Sequence, residues 1–194
     1  YLLCVHDGGR QGALRFWIDP EGPFIAQETE LAAPPITEVR RLERASLSLE
    51  ASKDPYEEKW FRDLITPGSS LGGARPKANV IDEKGEMWIA KFPSRIDSWN
   101  IGAWEMVVHD LAIKCGIDVP AAMIMHLSEM GDTFLTKRFD RILSEDGHKR
   151  VHFASGMTML GETDGSDHMA SYYHIGRNEQ ELMRQAFAEC DRKL

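Results

Sequence analysis

The chain has 194 residues, 42% of them hydrophobic and 28% charged, which suffices for one large domain or two small ones with a packed core. No stretch reaches the roughly 18 consecutive apolar residues of a membrane span, and the N-terminus lacks the basic start and apolar run of a signal peptide. The net charge of −8 disfavours binding to a phosphate backbone. Cys4, Cys115 and Cys190 form no disulfide framework or zinc motif. We therefore expect a cytoplasmic protein with no direct nucleic-acid or membrane contact.

The N-terminal 50 residues have the pattern of a small subdomain. Within residues 1–33, turn signals flank a weak alternation of apolar positions, which predicts a β element: Leu14, Phe16 and Ile18. After Pro34 and Pro35, apolar residues recur at helical spacing and predict a helix packed on that element: Ile36, Val39 and Leu42. A second helix is predicted to start at Asp54-Pro55, where a capping side chain precedes a proline, and to bury Trp60, Phe61 and Leu64.

From residue 68 onwards the pattern changes to two hairpins around a helix. The first hairpin has strands through residues 80–81 and 87–92, joined by a turn at 82–85. An apolar stripe at helical period follows, and Gly116 predicts its left-handed end: Trp104, Val107, Val108, Leu111, Ala112 and Cys115. The second hairpin has strands 123–127 and 133–139 around Gly131. A turn at 145–147, a short apolar piece at 151–160 and a final helix from Asn178 complete the chain.

The loop before the first hairpin has features of a phosphate-binding loop. Adjacent Gly72 and Gly73 let backbone N–H groups approach an anion, and Arg75 and Lys77 follow directly. The loop is neither a Walker A motif nor the kinase G-x-G-x-x-G motif. On its own, the glycine pair is more typical of an ordinary turn than of a phosphate-binding loop.

Lys91 lies in an otherwise apolar strand, where an unpaired charge would be costly to bury. Glu105, near the start of the following helix, can supply its partner. Protein kinases use such a lysine on a strand and glutamate on a helix to hold ATP phosphates. The alternative is that Lys91 extends to solvent and Glu105 is an ordinary surface residue.

These segments, in this order and spacing, resemble the HipA-type serine/threonine kinases of bacterial toxin–antitoxin systems. The resemblance spans nearly the whole chain. The segments that carry it are residues 70–77, 89–93, 104–105, 112–120 and the Lys-Arg-Phe-Asp-Arg run at 137–141. It implies an α+β, protein-kinase-like two-lobe fold with an N-terminal subdomain (1–50), a nucleotide-binding small lobe (51–140) and the start of a helical large lobe (141–194).

The resemblance also implies roles for individual residues. Ser70 matches the serine that these kinases phosphorylate on themselves to switch off, and Lys91 and Glu105 match the catalytic ion pair. Residues 137–139 match the hinge, whose backbone binds adenine, and Arg138 and Asp140 are expected to brace it. The implied ATP-binding positions are Gly72, Gly73, Ala74, Arg75, Pro76, Lys77, Lys91, Lys137, Arg138 and Phe139.

The family's catalytic loop, with its aspartate, histidine and metal-binding asparagine, has no match in these 194 residues. Residues 163–168 contain an aspartate, a glycine and a histidine but no nearby asparagine, and they precede the helix that normally leads into that loop. Histidines 152, 168 and 174 fit no metal-binding spacing. Because the chain also starts at Tyr1, we expect a piece of a longer kinase, inactive by itself, or alternatively a non-catalytic binding or regulatory module.

For the full-length enzyme the resemblance implies ATP and Mg²⁺ as cofactors and a bacterial, cytoplasmic location. It also implies two kinds of partner, a HipB-like helix-turn-helix antitoxin and a protein substrate such as an aminoacyl-tRNA synthetase. The acidic composition agrees with leaving DNA to the antitoxin.

Overall fold

The structure is a computed structural model that describes residues 6–27, 32–52, 71, 75–145 and 147–161. The fold is mixed α+β with antiparallel sheets, as predicted. Two compact units divide the chain, Tyr1–His152 and Phe153–Leu194. The predicted domain boundaries at residues 50 and 140 stay predictions.

A four-stranded antiparallel sheet forms the centre of the first unit, with strand order β1-β2-β4-β3. Its strands are β1 (Lys77–Ile81), β2 (Met87–Lys91), β3 (Ala122–Ser128) and β4 (Gly131–Lys137). Both predicted hairpins are therefore confirmed, although the last strand ends two residues before Phe139. A separate two-stranded sheet follows, β5 (Arg141–Ser144) paired with β6 (Gly147–Arg150). Only its turn was predicted from the sequence.

Helix α1 (Val39–Ala51) follows a 3₁₀ turn at Ile36–Glu38 and confirms the predicted helix. Its apolar face packs on one face of the four-stranded sheet. The prediction that it packs on an N-terminal β element is therefore wrong. The shared core consists of Val39, Leu42, Ala45, Ala78, Val80, Trp88, Ala90, Phe92 and Leu135. Glu43 is buried in the same interface, where the Thr133 hydroxyl donates to its carboxylate over 2.5 Å.

The predicted β element is wrong for residues 6–27, which contain an isolated bridge between Trp17 and Phe24 but no strand. Leu14 and Ile18, expected on a packed face, are 61% and 86% exposed. A 3₁₀ turn at Asp7–Gly9 is the regular element in that range. Arginine side chains hold this region in place through backbone carbonyls, as described below, and a strand ladder is not needed.

Pro34 and Pro35 run beside the edge strand β1. The backbone N–H of Ile81 donates to the Pro34 carbonyl over 2.9 Å, and Pro35 forms an isolated parallel bridge with Ile81. At the opposite edge, β3 pairs with β4 with a register shift between His126 and Ser128. Arg40 of α1 donates to the Leu127 carbonyl there over 2.7 Å.

Helix α2 (Ile101–Lys114) contacts β3 and β4. Asn100 caps its start by accepting the Ala103 N–H, and Gly116, at φ +77°, ends it as predicted. The apolar stripe runs along this helix, yet several of its members are exposed in the described structure: Trp104, Val107, Val108 and Leu111. The second unit is described only as far as Gly161, with a short helix α3 (Gly156–Leu160) capped by Ser155.

The predicted helix at residue 54, with Trp60, Phe61 and Leu64, lies outside the described residues, as does the final helix from Asn178. Within the described part of the chain, no helix is long and apolar enough to cross a membrane.

Candidate functional site

Lys91 and Glu105 form the ion pair that the sequence predicts. Lys91 ends β2, Glu105 lies in the second turn of α2, and the Lys91 ammonium donates to the Glu105 carboxylate. The ammonium also lies 5.4 Å from the centroid of the Phe134 ring on β4. Both charged side chains are partly exposed, at 32% and 26%. The alternative of a lysine and glutamate that do not meet is therefore wrong.

The position of Glu105 depends on a close approach between α2 and β4. A methyl group added at Gly102 would lie 1.9 Å from the Asp132 carbonyl oxygen, so only glycine allows this contact. Asn100 fixes the same junction, because its amide donates to the Asp132 carboxylate over 2.7 Å and its oxygen accepts the Asp132 N–H over 3.0 Å. The start of α2 is thus held directly against the β4 strand.

A second lysine lies opposite Lys91 in the sheet. The register pairs Lys77 of β1 with Lys91 of β2, which places both side chains on one face, and like charges in this arrangement repel. Burial and then the charge of Lys91 lower the pKa of Lys77, against the opposing charge of Glu105. The charge of Glu105 therefore acts on both ammonium groups, and a bound anion would reduce the repulsion between them.

Arg75, just before β1, binds Asp97 with two parallel hydrogen bonds of 2.6 and 3.1 Å. The Asp97 carboxylate also accepts the Ser94 N–H over 2.9 Å. The Arg75 hydrogen bond lowers the pKa of Asp97, although burial opposes it. Arg75 therefore anchors the chain next to the lysines instead of presenting an unpaired guanidinium. Pro76 contributes its carbonyl, which accepts the Phe92 N–H over 3.0 Å.

Four residues of the predicted phosphate loop lie outside the described residues: Ser70, Gly72, Gly73 and Ala74. Their predicted roles stay predictions.

The predicted hinge, residues 137–139, begins at the last residue of β4 and borders a cavity of about 610 Å³. The N–H groups of Lys137 and Arg138 donate to the carbonyls of Ala121 and Met87, both over 2.8 Å. The Lys137 ammonium binds Glu86 at 2.5 Å. A nucleotide base in this cavity would therefore bind segment 137–139 through groups other than these two N–H donors. The cavity is lined by Glu86, Met87, Asp118, Val119, Pro120, Lys137, Arg138, Phe139, Arg141, Ile142, Leu143 and His148.

Arg138, Asp140 and Arg141 form a buried group, here called the arginine hub. The Asp140 carboxylate accepts from Arg138 at 2.6 and 2.8 Å and from Arg141 at 3.0 Å. Burial alone would raise the pKa of Asp140, but the hydrogen bonds and charge of Arg138 lower it overall. Burial, together with the charge of Arg138, lowers the pKa of Arg141 to about 10. Arg138 and Asp140 thus contact each other next to segment 137–139, and their role in bracing a hinge stays a prediction.

The arginine hub also binds residues 8–12, here called the N-terminal segment, which the sequence reasoning missed. Arg138 donates to the carbonyls of Gly9 and Arg10, over 2.7 and 2.9 Å. Arg141 donates to the carbonyls of Gly8, Arg10 and Gly12. The Gly12 N–H returns a 2.8 Å hydrogen bond to Asp140. Three glycines within residues 8–12 were a signal, because glycine allows such close backbone approach.

Further ion pairs surround the N-terminal segment. The buried Asp7 binds Arg15 at 2.6 Å and Arg150 of β6 at 2.8 Å. Asn79 of β1 completes the contacts of Arg138 by accepting from it over 2.8 Å. The segment is thereby tied to β1, to the hinge and to the two-stranded sheet.

Within the part of the chain that the structure describes, no group of three or more histidine, cysteine, aspartate or glutamate side chains is placed to hold a metal ion. The candidate site therefore consists of three parts: the lysine pair with Glu105, the cavity beside the hinge, and the arginine hub behind that cavity.

Comparison with known proteins identifies the family. The sequence profile of a family described as the HipA-like C-terminal domain matches residues 69–193, well over half of the chain. No curated protein and no solved structure matches the chain. The matched region contains the lysine pair, Glu105, the hinge and the arginine hub, and the chain belongs to the HipA-like family.

Proposed function

We propose that this chain is the ATP-binding portion of a HipA-like serine/threonine kinase, with a small lobe and the beginning of a large lobe of a kinase-like fold. The observation that carries the proposal is the Lys91–Glu105 ion pair with Lys77 opposite it in the sheet. An ion pair between a lysine on a strand and a glutamate on a helix is the arrangement with which kinases hold nucleotide phosphates.

The distance between the lysines and the hinge supports a nucleotide as ligand. Trp88 pairs with Lys137 at the end of β4, and Lys91 lies three residues further along β2. At about 3.3 Å per residue, this separation is roughly 10 Å along the strand. A nucleotide with its base in the cavity beside segment 137–139 would therefore place its phosphates near the two lysines.

Lys77 and Lys91 suit phosphate, because ammonium groups bind anions by charge and hydrogen bonding. The resemblance to HipA-type kinases places the Mg²⁺ ligands in the large lobe of the full-length enzyme. Within the described residues, the chain's contribution is to bind and orient the triphosphate.

The wider role follows from the family alone. We propose that the full-length protein phosphorylates a protein such as an aminoacyl-tRNA synthetase, pairs with a HipB-like antitoxin in the bacterial cytoplasm, and is inactivated by autophosphorylation of Ser70.

Titration of the chain with a non-hydrolysable ATP analogue tests nucleotide binding. We expect Lys91→Ala to weaken binding by at least about tenfold, since a charged hydrogen bond contributes on the order of 1.5–3 kcal/mol. Lys84→Ala, in the turn between β1 and β2, is the matched control and should leave the affinity unchanged. Equal affinity of the wild-type and Lys91→Ala chains would contradict the proposal.

A non-catalytic binding or regulatory module is the second candidate, favoured by the lack of a catalytic-loop match in these 194 residues. Under either interpretation these 194 residues alone should not transfer phosphate. Labelled ATP with magnesium and a generic acceptor tests this, and transfer that disappears in Lys91→Ala would overturn it. A coding sequence that continues into an Asp-x-His-x-x-Asn loop would decide for the kinase.

A further inference from the structure

The two guanidinium groups of the arginine hub depend on the N-terminal segment for much of their hydrogen bonding. The carbonyls of residues 8, 9, 10 and 12 accept from Arg138 or Arg141. Among the described residues, the one carboxylate that hydrogen-bonds to either guanidinium is Asp140. Both arginine side chains are 1% exposed in this arrangement, so protein groups and not solvent supply their acceptors.

If the N-terminal segment moved away, Arg138 would keep Asp140 and Asn79 as acceptors. Arg141 would keep the carboxylate and the carbonyl of Asp140. A guanidinium group that lost its other acceptors would have to turn toward solvent or carry a large desolvation cost, and like charges side by side add repulsion. The hub residues would then reorient, since their present arrangement needs the carbonyls. The conformation of residues 138–141 is therefore coupled to docking of the N-terminal segment.

The same residues form one wall of the cavity at the hinge. Arg138, Phe139 and Arg141 all line it. Phe139 is 58% exposed, whereas its neighbour Arg138 is buried in the hub. The Arg138 N–H also fixes the hinge to the Met87 carbonyl of β2. The hub thereby determines how this wall is presented to a ligand in the cavity.

We infer that the arginine hub and the N-terminal segment are a positioning unit for the nucleotide, so that nucleotide binding and docking of residues 8–12 strengthen each other. The inference rests on the proposed nucleotide site. Arg138, Asp140 and Arg141 act through the hinge backbone and Phe139, and the N-terminal segment acts through the hub. Because coupling between sites is reciprocal, nucleotide must stabilise the docked segment as much as the segment favours nucleotide.

Amide hydrogen exchange of the wild-type chain, with and without the ATP analogue, tests this reciprocity. We expect the analogue to slow exchange at Gly12, whose N–H donates to Asp140, and across residues 8–12 as well as 137–139. Helix α1 is the internal control, since it packs on the sheet face that carries Ala78 and Ala90. Lys77 and Lys91 lie on the other face. Protection at 137–139 with unchanged exchange across residues 8–12 would overturn the inference.

Affinity of variants provides the second test. Arg138→Lys keeps the charge but removes the planar fork that reaches Gly9, Arg10 and Asp140 together. We expect analogue binding to weaken by at least about fivefold, the lower end of typical coupling between sites. Arg41→Lys, in an exposed pair with Glu38, is the control and should bind like wild type. A thermal melt of each variant checks that it is folded.

The outcomes separate this inference from the proposed function. If the wild-type chain does not bind the analogue, the proposed function fails and the inference fails with it. If the wild-type chain binds and Arg138→Lys binds equally well, the inference alone fails. If Arg138→Lys does not fold, the exchange experiment on the wild-type chain decides.

Discussion

The charged side chains at the two ends of β2 are arranged in opposite ways. At the hinge end, the arginine hub is buried, and its carboxylate and backbone carbonyls match the guanidinium donors closely. At the other end, Lys77 and Lys91 lie opposite each other and are partly exposed, and the charge of Glu105 acts on both. The first arrangement binds one part of the protein to another, whereas the second places two like charges side by side, which favours binding of an anion.

The contrast distinguishes charged side chains that hold the structure together from charged side chains that are available to a ligand. The sequence resemblance assigned Arg75, Arg138 and Lys91 alike to nucleotide binding. The geometry shows Arg75 and Arg138 bound to aspartates with two hydrogen bonds each, which leaves the lysines as the groups best suited to phosphate. Substitutions in each of the two arrangements test this division.

Replacing Arg138 with alanine should cause the largest loss of stability. It removes the contacts to Gly9, Arg10 and Asp140 at once and leaves a buried carboxylate with less compensation. We expect the free energy of unfolding to fall by about 3–5 kcal/mol, as for a broken buried ion pair. Urea unfolding measures this. Arg41→Ala, in an exposed pair, should cost less than about 1 kcal/mol, and equal effects of the two variants would contradict the comparison.

Gly102→Ala should be the next most disruptive. The new methyl group would meet the Asp132 carbonyl oxygen at 1.9 Å, so α2 must move away from β4. We expect a loss of about 1–3 kcal/mol, typical of overpacking, and weaker nucleotide binding because Glu105 moves with the helix. The reverse substitution Ala103→Gly is the control, with a cost of about 1 kcal/mol from helix propensity alone and no effect on Glu105. Thermal unfolding with nucleotide titration distinguishes them.

Asp97→Asn should have a smaller, pH-dependent effect. The pKa of Asp97 is lower in the folded chain than its ordinary value of 3.8. As the pH falls through that value, the unfolded state therefore takes up the proton before the folded state does. The stabilisation is therefore present at neutral pH and lost in acid. We expect the variant to lose about 1.5 kcal/mol at pH 7, as for a charged hydrogen bond. Urea unfolding across pH measures it, and a difference that persists unchanged in strong acid would contradict this assignment.

Glu105→Gln should change stability least, by less than about 1 kcal/mol, because the Lys91–Glu105 pair is partly exposed. Its electrostatic effect is more informative. Glu105 raises the pKa of Lys77 against burial and Lys91, so its removal should lower that pKa further. An NMR titration of labelled lysine side chains measures the shift. A Lys77 pKa that rises or stays constant would show that the two lysines do not share this carboxylate.

Much of the central fold could be predicted because it rests on short-range signals. Periodicity and turn chemistry are enough to predict features that join residues close in sequence. These features are both hairpins, helix α1, the Gly116 cap of α2 and the Lys91–Glu105 pair. The ion pair joins a strand to the helix that follows it, fourteen residues on. The resemblance of these segments to one family then agreed with the profile match.

The arginine hub could not be predicted in the same way. It connects residues 128 to 133 positions apart, through backbone carbonyls that carry no side-chain signature. The alternation of Leu14, Phe16 and Ile18 suggested a strand, but these side chains are exposed and the region is held by arginines of distant elements. Local pattern fails where long-range polar contacts determine the path of the chain.

The two edges of the four-stranded sheet have a consequence for how this protein behaves in a crowded solution. An open edge strand can recruit a strand from another molecule and so begin aggregation. Pro34 already takes the Ile81 N–H of β1, and proline cannot offer an N–H of its own to a further strand. At the other edge, the irregular register of β3 and the Arg40 side chain on the Leu127 carbonyl interrupt a continuous template. Intermolecular strand pairing is therefore obstructed at both sides of the sheet by residues that take no part in the candidate site.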